Sequence, residues 1–112
     1  MASAPDPLAP AAALFRGLAD PTRLSILRRL AKGEQRVADL VTELELAQST
    51  VSGHLACLRE CGLVDFRSVG RQSFYSLARP ELMELLSAAE ALLRATGERV
   101  ALCPTYGKGA RS

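Results

Sequence analysis

The sequence predicts a mainly α fold with a small β-hairpin, ordered as a helix-turn-helix followed by a wing. Three observations carry the prediction. Apolar residues recur at helical spacing in segments bounded by capping residues and glycines. Two of these segments, residues 36–44 and 48–61, are separated only by Glu45, Leu46 and Ala47, the interval of a helix-turn-helix. After Gly62 the pattern changes to β-forming side chains on either side of a glycine turn.

Each element has a local cause. Residues 1–10 hold three prolines among alanines and read as an irregular arm, with a first helix starting near Pro10 in PAAALFRGLA, since proline suits a first helical turn. Asp20-Pro21-Thr22 reads as a cap and a first-turn proline leading into a second helix, with Leu24, Ile26, Leu27 and Leu30 apolar and Gly33 beyond its end. Val37, Leu40, Val41 and Leu44 mark a third helix, and Val51, Leu55 and Leu58 the inward face of a fourth. Residues 63–77 form a two-stranded hairpin turning at Gly70-Arg71. PELMELLSAAEALLRATGERV is a long amphipathic helix whose stripe runs through Leu82, Leu85, Leu86, Ala89, Leu92 and Leu93, and the chain becomes irregular near Pro104. The organisation is therefore an arm (1–10), a domain of helix-turn-helix and hairpin (11–97) and a tail (98–112).

Composition narrows the class. A chain of 112 residues, 48% hydrophobic and 23% charged, suits one globular domain. No apolar run approaches the roughly 20 residues of a membrane helix, and the N-terminus lacks the basic and apolar blocks of a secretory signal. A cytoplasmic protein with no membrane partner is expected. Three cysteines, an odd number without signs of export, are expected to be thiols. The net charge of +2 leaves nucleic-acid binding open. One histidine, no phosphate-cradling loop and no carboxylate pair beside a nucleophile argue against an enzyme and against an organic cofactor.

The fourth helix carries the recognition chemistry. With Val51, Leu55 and Leu58 inward, Gln48, Ser49, Thr50, Ser52, Gly53 and His54 are expected on outer faces near its start. Gln can pair with adenine, Ser and Thr can reach bases or phosphates, and a helix N-terminus favours a phosphate. Arg67, Arg71 and Gln72 on the hairpin would add contacts that chiefly position the protein.

LADPTRLSILRRL, STVSGHLACLRECGLV and GRQSFYSL are similar to the ArsR/SmtB family of winged-helix repressors, from about Phe15 to Leu93. The resemblance implies a winged helix-turn-helix homodimer assembled mainly through the first and last helices, with residues 48–61 as the reading helix and 63–77 as the wing. It also implies repression at double-stranded operator DNA, relieved by an inducer that is usually a metal or metalloid. Two reading helices about 34 Å apart would fill successive major grooves.

The inducer site is read from the thiols. Where family members carry a CVCDL-like string, this chain has Arg36-Val37-Ala38-Asp39-Leu40, and Glu81, Glu84 and Glu90 on the last helix have no histidine with them. Cys57, Cys61 and Cys103 remain. Four residues turn a helix by about 400°, so Cys57 and Cys61 share a face with Cβ atoms about 5–6 Å apart. Rotamer choice can bring their sulfurs to the roughly 3.8 Å that a shared ion with bonds of about 2.3 Å requires. Burial as small hydrophobes is the alternative role of such cysteines.

The arrangement resembles the cadmium and lead sensor branch of the family, which implies a metal site of Cys57, Cys61 and Cys103, the last contributed by the other subunit. Thiolates select soft ions, so Cd(II) or Pb(II) is the expected inducer. An arsenite sensor using As(III) on the same thiols and a thiol redox sensor are the alternatives.

Overall fold

The computed structural model describes residues 6–98 and 101–102. Five helices and three short strands follow in the order α1 (Ala9–Leu18), α2 (Pro21–Leu30), β1 (Gln35–Arg36), α3 (Val37–Leu44), α4 (Gln48–Glu60), β2 (Val64–Val69), β3 (Gln72–Leu77) and α5 (Glu81–Ala95). The fold is a winged helix-turn-helix. Among the described residues no helix is long and apolar enough to cross a membrane.

Local chemistry accounts for the breaks. Asp20 is the extended N-cap of α2, and its carboxylate accepts the Arg23 backbone N–H at 3.0 Å, with Pro21 in the first turn. This bond is the largest cause holding the Asp20 carboxyl below its ordinary value of 3.8. The cap's stabilisation is therefore complete above that value and fades as pH falls through the lowered folded-state pKa. Asp20→Ala should cost about 1 kcal/mol near neutral pH. Asp20→Asn, which caps without titrating, should unfold less steeply with acid, as a circular dichroism titration will read.

Glu45 (φ 57°) takes the left-handed conformation that closes α3 and opens the turn into α4. Helix α4 ends in a Schellman motif: the Leu63 N–H bonds the Leu58 carbonyl at 3.0 Å and the Gly62 N–H the Arg59 carbonyl at 2.9 Å, with Gly62 at φ 77°. That motif sets the angle at which the chain enters the wing.

The core joins α2, α3, α4, the first residues of the wing and α5. Ile26, Leu27, Leu40, Val51, Leu55 and Leu58 are fully buried, with Leu30, Leu63, Val64, Leu82 and Leu86 nearly so. Val51, Leu55 and Leu58 thus form the inward face of α4, as their spacing predicts.

Two expectations need correction. The sheet has three antiparallel strands in the order β1-β3-β2, with Gln35 opposite Tyr75 and Arg36 opposite Phe74. A two-residue strand offers no alternation to read, and only its neighbour β3 makes it one. The last helix stops at Ala95 instead of running on through GERV, because Gly97 (φ 92°) turns the chain and the Glu98 N–H bonds back to the Leu93 carbonyl at 2.9 Å. Helix α1 starts at Ala9 with Pro10 in its first turn, as expected.

Candidate nucleic-acid interface and thiol pair

Gln48, Ser49, Thr50, Ser52 and Gly53 are all exposed along the first turns of α4. The N-cap residue Ala47 offers no side-chain acceptor, so the first N–H groups of α4 remain open to an external anion. A Cβ built on Gly53 meets nothing within 4 Å. Internal packing therefore does not require glycine there, whereas a surface approached closely by another molecule would.

His54 departs from expectation. Its side chain is only 21% exposed, and Nδ1 lies 3.3 Å from an Arg23 guanidinium nitrogen and 3.9 Å from Asp20. A guanidinium only donates, so in this contact Nδ1 stands on the acceptor side. Residue 54 adjoins Leu55 on the flank of the buried face, which turns the ring toward α2 and away from the outer surface.

The wing is tied to the helical body. Its turn is Gly70-Arg71, with Val69 opposite Gln72 and a positive φ of 61° at Gly70 alone, the II′ pattern that suits strand twist. Arg67 forms two hydrogen bonds to Glu34, at 2.6 and 2.9 Å, and lies over the Phe74 ring at 5.2 Å. Gln72 accepts a 3.4 Å hydrogen bond from Arg36, which also pairs with Asp39 at 2.9 Å. Arg71 is exposed at the tip. At the other end of the wing Arg59 of α4 sits 4.3 Å over Phe66, which stacks on Tyr75 at 5.3 Å. Of the wing residues singled out by sequence, Arg71 is thus presented outward, while Arg67 and Gln72 also serve to fix the wing against β1 and α3.

Cys57 and Cys61 are free, half-buried thiols on one face of α4. Burial pushes the Cys61 thiol up from its ordinary value of 9.0, and the neighbouring Cys57 pushes the same way while Arg23 opposes. The Cys61 Sγ lies 4.0 Å from the Ala13 carbonyl of α1, and a Cβ on Gly17 would stand 3.0 Å from that sulfur. Sequence reasoning missed both of these neighbours on α1; an isolated glycine near the end of a helical pattern was the only available signal. Cys103 lies outside the described residues. The residues just before it are held back on the helical body: Arg28 of α2 donates to the Ala101 carbonyl at 2.9 Å, and the Leu102 N–H bonds Glu90 of α5. Among the described residues no three His, Cys, Asp or Glu side chains gather as a metal-binding group.

A helix-turn-helix with an exposed, uncapped second helix and a hairpin braced beside it defines a winged-helix DNA-binding regulator. Residues 20–65 match the family model described as "Bacterial regulatory protein, arsR family". The chain is 41% identical over 81 residues to the "Probable mercury resistance operon repressor" of Streptomyces lividans, covering 72% of this chain and 65% of that protein. It is 48% identical over 75 residues to the "HTH-type transcriptional regulator CmtR" of Mycobacterium tuberculosis, covering 67% and 64%. It thus spans just under two thirds of the length of these two relatives.

Among solved structures, Rv0081 from M. tuberculosis matches with 36% identity and a TM-score of 0.74, over 87% of this chain and 100% of that one. The homodimeric winged helix-turn-helix domain of Mb0332 from Mycobacterium bovis, described as a possible ArsR-family regulator, matches with 29% identity and a TM-score of 0.74, over 88% and 94%. The chain belongs to the ArsR family of bacterial regulatory proteins, which are transcriptional regulators and not enzymes.

Proposed function

We propose that this protein is a metal-responsive repressor. As a homodimer free of metal it holds operator DNA through α4 and the wing, and it releases the DNA when Cys57, Cys61 and Cys103 bind a soft ion, Cd(II) or Pb(II). The observation that carries this reading is that two half-buried thiols, Cys57 and Cys61, share one face at the end of the same helix whose other end presents Gln48, Ser49 and Ser52. A half-buried thiol pair fits a soft ion by donor chemistry, and such an ion would hold the sulfurs as thiolates. The relatives named for mercury resistance and as CmtR support a regulator of this kind.

Homodimerisation is supported by large apolar side chains left open on α1 and α5, Phe15 at 58% and Leu92 at 68% exposure, and by the homodimeric neighbour. Helix α5 buries Leu82 and Leu86 and leaves Leu85, Ala89 and Leu93 half-buried beside the exposed Leu92, a face that a second copy would cover. Thr50, Arg67, Arg71 and Gln72 complete the proposed DNA-facing set, while His54, turned to Arg23, braces the helix that carries it.

The test is an anaerobic ultraviolet titration of reduced protein with Cd(II), Pb(II) and As(III). Sulfur-to-metal charge-transfer absorption saturating at one ion per chain, and weakened by Cys103→Ser, is expected with Cd(II) or Pb(II). Absorption with As(III) alone would assign the same thiols to arsenite, and absence of any band would overturn the metal reading.

On the DNA side, Gln48→Ala with Ser52→Ala should weaken operator binding by about 1–3 kcal/mol for each base pair no longer recognised and leave the metal band unchanged. Gly53→Ala should raise stability by about 0.5–1 kcal/mol, since nothing stands within 4 Å of the new methyl. Gly53→Gln should fold equally well and bind DNA less tightly in an anisotropy titration.

A further inference from the structure

We propose that Gly17 is a positioning residue: its missing side chain makes a notch on α1 that seats the Cys61 thiol, so that this sulfur joins α1 to the reading helix until an ion draws it away. The second half rests on the metal-sensing reading above; the first half stands on geometry alone.

Gly17 is the only buried residue of α1, and no positive φ requires glycine there. Glycine inside a helix is unfavourable relative to alanine, so its presence calls for a spatial reason. The space is taken by Cys61: a Cβ at position 17 would lie 3.0 Å from its Sγ and 3.9 Å from its Cβ, the former too close for carbon and sulfur at rest. The same sulfur lies 4.0 Å from the carbonyl of Ala13, one turn earlier on α1.

Both walls of the notch are held. Arg23 donates from Nε to the Gly17 carbonyl at 2.7 Å and from a terminal nitrogen to the Arg16 carbonyl at 3.2 Å, while its other terminal nitrogen reaches His54 at 3.3 Å. On the α4 side, His54, Cys57 and Cys61 follow one another at intervals of three and four residues along a single face. Cys61 itself is fixed as the C-cap of α4 by the Schellman bonds that follow it. A Cys61 sulfur that turns to share an ion with Cys57 must leave this seat. Removing it would empty the notch and loosen α1 from α4 at the point nearest the thiols.

The experiment is a double-mutant cycle on the reduced protein, with denaturant midpoints for wild type, Gly17→Ala, Cys61→Ala and the double variant, joined to Cd(II) affinities of wild type and Gly17→Ala by chelator competition. Gly17→Ala should lower the midpoint in the presence of Cys61 and raise it in the Cys61→Ala background, where the new methyl fills vacated space. With the sulfur already displaced, Gly17→Ala should bind Cd(II) several-fold more tightly than wild type. Additive midpoint shifts would overturn the notch whether or not Cd(II) binds. Coupled shifts with equal Cd(II) affinities would overturn the exchange of the sulfur between notch and ion. Coupled shifts with no Cd(II) binding by wild type would leave the notch standing and bring down the metal-sensing reading.

Discussion

Cys57→Ser protein should hold its operator as tightly as wild type and go on holding it after Cd(II) is added. The two halves of this outcome come from two ends of one helix. Binding depends on the exposed start of α4, at Gln48, Ser49 and Ser52, whereas Cys57 lies more than a turn beyond Ser52, half-buried toward the C-terminal end. A serine there keeps size and helix geometry but supplies a hydroxyl, a poor ligand for soft ions. An inducer that lowers DNA affinity through a coupling of about 1–3 kcal/mol per site, or 5- to 150-fold, loses that coupling when one of its ligands goes. Cys61→Ser should be equally uninducible, with a small loss of stability because its side chain also packs against α1. Anisotropy titrations on a duplex selected from a random pool, with and without Cd(II), read both halves. Full induction of both variants would sink the site assignment.

Leu55→Ala should destabilise the fold by about 2–5 kcal/mol. Leu55 has no exposed surface and lies in one cluster with Ile26, Leu27, Leu40, Val51 and Leu58. Truncating it leaves a cavity between α4 and the helices it packs on, in a domain whose whole stability is on the order of 5–15 kcal/mol. Chemical denaturation at fixed protein concentration measures the loss, the concentration being held because dimerisation is linked to folding. A cost below about 1 kcal/mol would mean that α2 and α3 close around the gap, a degree of collapse that close-packed cores rarely achieve.

Much of the fold could be read along the chain because it is written in short intervals. Asp20 and Pro21 announce the start of α2, the spacing of Val51, Leu55 and Leu58 gives the inward face of α4, and Gly70-Arg71 marks the wing turn. Each is decided within about one helical turn or one hairpin, where geometry depends on neighbours in sequence. The pairing of Cys57 with Cys61 belongs here as well, since a helix brings residues four apart onto one face whatever surrounds it.

What the tertiary structure alone decided are contacts between side chains far apart in sequence. His54 looked as available as Ser52, yet the packing of α2 against α4 turns it to Arg23, 31 residues away. Arg67 is engaged by Glu34, 33 residues away, and β1 exists as a strand only because β3 lies beside it. The seat of Cys61 against Gly17 depends on how closely α1 approaches the end of α4. By itself the sequence determined which helices form, which face of each turns inward and which thiols share a face, because these follow from backbone periodicity. The distances between helices, and so the partners of His54, Arg67 and Cys61, depend on how whole side-chain surfaces interlock, and no local spacing encodes that.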